Sequence, residues 1–64
     1  STVEIAVQVN GKVKARLKVA ADIDAAAAIA AAKADPAVAA ALEGKQVVKE
    51  IYVKGRLVNL AVKG

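Results

Sequence analysis

The chain has no cysteine, histidine, methionine, tryptophan or phenylalanine, and each absence closes off some chemistry. Without cysteine there is no disulfide framework and no thiol chemistry. Without histidine or cysteine, and with no carboxylates clustered at ligand spacing, a zinc site lacks donors. The hydroxyls other than that of Tyr52 belong to Ser1 and Thr2 at the chain end, so no nucleophile–base pair can be assembled. A glycine-rich phosphate loop is missing too. Neither catalysis, a cofactor nor a metal is expected. Charges interrupt every apolar stretch, so none approaches the length of a membrane span. No secretion signal is present either, and a cytoplasmic setting is expected. The first residue is not Met, as expected of a processed product or a piece of a longer chain.

What remains is aliphatic, alanine-rich and basic. Sixty-four residues make one domain, 1–64, with marginal stability, because so short a chain buries only about 60% of its unfolded surface. Seventeen residues are Ala and the only aromatic is Tyr52, so the core is built from Val, Ile, Leu and Ala. The net charge of +4 favours anionic partners without naming one.

The most informative stretch is Val3 to Val19. Val3, Ile5, Val7 and Val9 alternate with Glu4, Ala6 and Gln8; Val13, Ala15, Leu17 and Val19 alternate with Lys12, Lys14, Arg16 and Lys18. A period of two gives each strand one buried and one wet face, and Asn10-Gly11 between two such runs signals a hairpin. A plain two-residue turn would set Val7 opposite Lys14 and bury nothing. A three-residue loop, Val9-Asn10-Gly11 with Gly11 in the left-handed position of a bulge, repairs the pattern. It predicts Val7 opposite Val13, Ile5 opposite Ala15, Val3 opposite Leu17, Glu4 opposite Arg16 and Gln8 opposite Lys12. Four cations then share one wet face.

Beyond the hairpin, Asp24 is the expected N-cap of a first helix over about Ala25 to Ala34, with Asp22 the competing cap. Ile23 and Ile29 are its large apolar anchors. Asp35-Pro36 breaks the run and starts a second helix to about Leu42, because proline suits the first helical position and Asp35 can cap it. Val38 and Leu42 face the core together, and Gly44 ends the helix. Val47 to Val53 and Leu57 to Val62 are strands joined at Lys54-Gly55. Asn59 needs a hydrogen-bond partner wherever it is buried.

The order is β-β-α-α-β-β. Lysines concentrate on the second and third strands, and charged strands belong at sheet edges. The expectation is a β-grasp-like α+β fold: a four-stranded mixed sheet of order 2-1-4-3 with the helices on one face.

Both hairpins carry a resemblance. Val7-Gln8-Val9-Asn10-Gly11-Lys12-Val13-Lys14-Ala15 resembles the "VQVNGKVRAK" stretch that begins the small C-terminal domain of bacterial leucyl-tRNA synthetases. Ile51 to Leu60 resembles the "IYVPGRLVNI" that closes it, and Ala21-Asp22 and Ala41 to Lys45 fall where that family has "PAD" and "ALEGK". The resemblance implies a non-catalytic appendix that contacts the outer corner of tRNA, apart from the aminoacylation and editing sites. The departures are Ala20 and Lys54 where the family has Pro, Asp24 where its cap is commonly Thr, and alanines over 25–32 where it is polar. Such departures are those of an engineered or simplified version, so a scaffold that keeps the fold without activity is the competing reading.

The candidate RNA-binding residues are Lys12, Lys14, Arg16, Lys18 and Arg56. Lysines and arginines along a strand can track phosphates, giving affinity that falls with salt. The plain alternative is a solvated face that keeps an edge strand soluble. Tyr52 is more simply a ring on an aliphatic core than a base-stacking platform. Asp22, Asp24 and Asp35 have a simpler role as helix caps than as metal ligands. A monomer is expected, with the alanine-rich helix as the surface available for self-association.

Overall fold

The computed structural model describes residues 1–64. The alternating runs form β1 (Thr2–Val9) and β2 (Lys12–Ala20); the alanine-rich segment forms α1 (Ala25–Ala34) and α2 (Pro36–Leu42); β3 (Gln46–Val53) and β4 (Leu57–Lys63) complete the chain. The fold is α+β, with one mixed sheet of order β2-β1-β4-β3. The two central strands, β1 and β4, run parallel, and each forms an antiparallel hairpin with its own edge strand. The edge strands are lysine-rich β2 and, on the other side, β3, in which Lys49 and Glu50 interrupt both faces, as the charge pattern favours.

Both helices start as their caps dictate. Asp24 accepts the Ala27 N–H at 2.7 Å, and Asp35 accepts those of Ala37 and Val38 at 3.0 and 3.2 Å. Asp35 is extended, with φ −66° and ψ 132°, because Pro36 excludes it from the helical region. The two helices therefore bend by 84°. This break lets α1 lie over β3 and β4 while α2 lies over β1 and β2. Gly44 follows α2 with φ +75°, a conformation that costs glycine little. No single helix is long and apolar enough to cross a membrane.

The core lies between the sheet and the helices: Ile5, Val7, Val9 and Val19, then Ala28, Ala32 and Val38, then Val58, Leu60 and Val62. Val38 is fully buried, while Leu42 is only half-buried. The anchoring of α1 differs from the expectation. Ile23 and Ile29 are only partly buried, whereas Ala28 and Ala32, one turn apart, have no exposure at all. Their small side chains let the helix backbone settle directly onto the sheet, and the isoleucines flank that contact.

The hairpin register also differs. Val9 pairs with Lys12 and Gln8 with Val13, so the loop is the two-residue Asn10-Gly11 turn, not a three-residue one. Both loop residues have positive φ, +51° and +84°, as a type I′ turn demands. The register then shifts between Gln8 and Val7, so that Val7 meets Ala15, Ile5 meets Leu17 and Val3 meets Val19. Lys14 is the extra residue, left without a partner. One added residue is needed to bring apolar side chains onto the same face, and it sits in β2, not in the loop.

Candidate functional site

The bulge at Lys14 decides where the cations go. Beyond it, Arg16 pairs with Ala6 and Lys18 with exposed Glu4, on the sheet face that carries no helix. Before it, Lys12 pairs with buried Val9. Lys12 and Lys14 border a shallow cavity of about 280 Å³, together with Val9, Asn10, Ala41 of α2 and Lys45. The expected single stripe of four cations is thus divided: Arg16 and Lys18 face one way, while Lys12 and Lys14 turn towards the end of α2. Sequence reasoning missed Lys45, which lies one residue past the helix-ending glycine and carries no periodic signal.

Arg56 stands apart from both groups. Its carbonyl accepts the Ala6 N–H at 3.0 Å and so extends the β1–β4 ladder, while its exposed side chain lies at the β3–β4 turn. Because β1 and β4 are parallel, that turn and the Asn10-Gly11 turn lie towards opposite ends of β4. Lys54, Gly55 and Arg56 form the connection, with Gly55 at φ +72°. Tyr52 is half-buried against the core, and its hydroxyl accepts the Gly55 N–H at 3.2 Å. The ring therefore supports the turn from within the fold.

None of the candidate cations forms a salt bridge, although Lys18 lies across from Glu4. The single salt bridge joins Lys33 of α1 to Glu50 of β3. Glu50 reaches the helix side because β3 is itself irregular, its register shifting between Val47 and Lys49. Nowhere do three or more Asp or Glu side chains converge to hold a metal. Asp24 and Asp35 are engaged as caps.

The open face of the sheet is partly apolar. Val13, displaced onto it by the bulge, is 47% exposed, and Ile51 and Val53 are 38% and 41% exposed. Gln8 and Asn59 sit side by side in its middle. The half-buried Asn59 does find a partner: its Oδ1 accepts the Gly11 N–H at 3.1 Å.

No family model matches the chain. Individual proteins do. The chain is 53% identical over 62 residues to the leucine–tRNA ligase of Hydrogenovibrio crunogenus, a match that covers 97% of this chain. It is 56% identical over 61 residues to that of Clostridium perfringens and 54% identical over 63 residues to that of Symbiobacterium thermophilum. In each case the chain spans only 7–8% of the relative's length. Among solved structures, the fold matches part of a leucyl-tRNA synthetase from Agrobacterium radiobacter, crystallised in a ternary complex with tRNA and LeuAMS. That match has a TM-score of 0.93 at 24% identity, covering 98% of this chain and 8% of the other. With more than half its residues identical along nearly its whole length, this chain is a relative of the C-terminal region of the leucine–tRNA ligases.

Proposed function

We propose that the chain is a non-catalytic RNA-binding module that contacts the outer corner of tRNA through its basic residues, with no cofactor and in the cytoplasm. The observation that carries this reading is the set of exposed cations that form no salt bridge. Lys12, Lys14, Arg16, Lys18 and Arg56 are all exposed, and none is within ion-pair reach of a carboxylate. Five such charges on a 64-residue fold attract a polyanion and release its counterions on contact. Kinship with a tRNA ligase, and a fold shared with a synthetase crystallised with tRNA, make tRNA the polyanion of choice. The 64 residues act as one domain and carry none of the ligase chemistry: they hold, and other parts of a synthetase react.

The competing reading, a simplified scaffold without activity, draws on the exposed alanines of α1 at 25, 26, 27, 30 and 34. The two separate in a titration against folded tRNA at two salt concentrations, with duplex DNA of similar charge alongside. A preference for tRNA that weakens with salt supports the RNA-binding reading. Equal, feeble binding to both nucleic acids overturns it in favour of the scaffold.

A further inference from the structure

Three lysines from two stretches of chain line one cavity. Lys12 opens β2, Lys14 is its bulged residue, and Lys45 follows the glycine that ends α2. All three line the recess with Val9, Asn10 and Ala41, and no acidic residue does. Glu43 is the nearest acid in sequence and is not among the lining groups. The arrangement depends on the bulge: a regular strand would return Lys12 and Lys14 to the face of Arg16 and Lys18. Three like charges around a recess repel one another until an anion neutralises them. At roughly 30 Å³ per water, the recess has room for a phosphate group and several bridging waters. Lysine suits such a site, because its ammonium is a mobile point charge on a flexible stem.

We propose that Lys12, Lys14 and Lys45 form a discrete phosphate-binding site, separate from the cations of the open sheet face. The recess takes one phosphate group at a time, either a phosphodiester of an RNA backbone or free phosphate. Its use on an RNA backbone rests on the RNA-binding reading above; the anion site itself does not. Along an RNA strand it fixes one phosphate against the Asn10-Gly11 end of the sheet. That contact sets register, whereas Arg16 and Lys18 supply diffuse attraction from the other side.

The test is a titration of the chain with inorganic phosphate at constant ionic strength, followed residue by residue through the backbone amide resonances, with chloride as the control. The site predicts saturable shifts confined to residues 10–15 and 41–46. Lys45→Ser should weaken phosphate binding about fivefold, the loss of one solvent-screened ion pair. Lys54→Ser, at the β3–β4 turn and outside the recess, should leave it unchanged. Shifts spread evenly over all the cations, or equal loss in both variants, overturn the site. A second arm titrates folded tRNA into the chain and into Lys45→Ser. Weaker tRNA binding by the variant supports a backbone phosphate as the occupant. Saturable phosphate shifts with no tRNA binding at all overturn the RNA-binding reading and support free phosphate as the ligand.

Discussion

Asn10 and Asn59 hold each other's strands. Asn10 Oδ1 accepts the Val62 N–H at 2.8 Å, and Asn59 Oδ1 accepts the Gly11 N–H at 3.1 Å. The Asn10 N–H in turn donates to the Leu60 carbonyl at 3.0 Å. The tip of the first hairpin is thereby fastened to the parallel strand beside it. Asparagine serves at position 10 for two reasons: it tolerates the left-handed backbone of the turn, and its side chain continues the ladder where β1 ends. The bulge, the lysine recess and the end of α2 all sit beside this fastening.

Loss of either side-chain oxygen should loosen that end. Asn59→Ala removes the Gly11 partner, and Asn10→Gly keeps the turn backbone while removing the Val62 partner. Each should cost about 1 kcal/mol of stability in urea denaturation. Asn10→Ala should cost more, because φ +51° strains an alanine.

Deletion of Lys14 tests the register. Without it, β2 would continue from Val13 opposite Gln8 straight to Ala15 opposite Val7, an unbroken ladder with the apolar pairs intact. The deleted chain should stay folded, with a dispersed amide spectrum and a cooperative melt. Deletion of Arg16 also absorbs the extra residue and leaves Leu17 opposite Ile5 and Val19 opposite Val3, but it sets Lys14 opposite Val7 in place of Ala15, so it should cost more stability than deletion of Lys14.

In the core, Leu60→Ala and Ile5→Ala should each cost about 2–5 kcal/mol, since both side chains are fully buried between sheet and helices. Leu17→Ala should cost less, its side chain being only half-buried. Ala28→Leu and Ala32→Leu should destabilise by about 1–3 kcal/mol, because the helix rests on the sheet at those two positions. Ala26→Glu, on the exposed side of α1, should be close to neutral. Chemical denaturation reads all of these.

The Lys33–Glu50 bridge ties α1 to β3, but both side chains are more than a third exposed. A double-mutant cycle should assign it no more than about 1 kcal/mol, falling further as salt is added.

Much of this fold was legible in the chain. Asp24, Asp35, Pro36 and Gly44 mark the helix ends by chemistry that operates locally, and the lysines of β2 and the Lys49-Glu50 pair within β3 mark the edges. The position of the extra residue was not legible. Alternation shows that one must be added, but Gly11 suits both a two-residue and a three-residue loop, so nothing local says which strand takes it. The buried side of α1 was hidden as well: in a run of alanines every face looks alike, and Ile29 drew attention away from Ala28 and Ala32. At the candidate site, the cations were visible one by one. Their division into two groups, and the arrival of Lys45, depend on a bulge that only the folded chain reveals.

The most direct test of the account is the slope of log affinity for folded tRNA against log salt concentration, measured for the chain and for Lys14→Ser/Lys45→Ser. If unpaired cations hold the RNA and these two share one phosphate, the slope should become shallower by about 1 in the double variant. An unchanged slope and affinity would contradict the account, leaving the recess without a part in RNA binding.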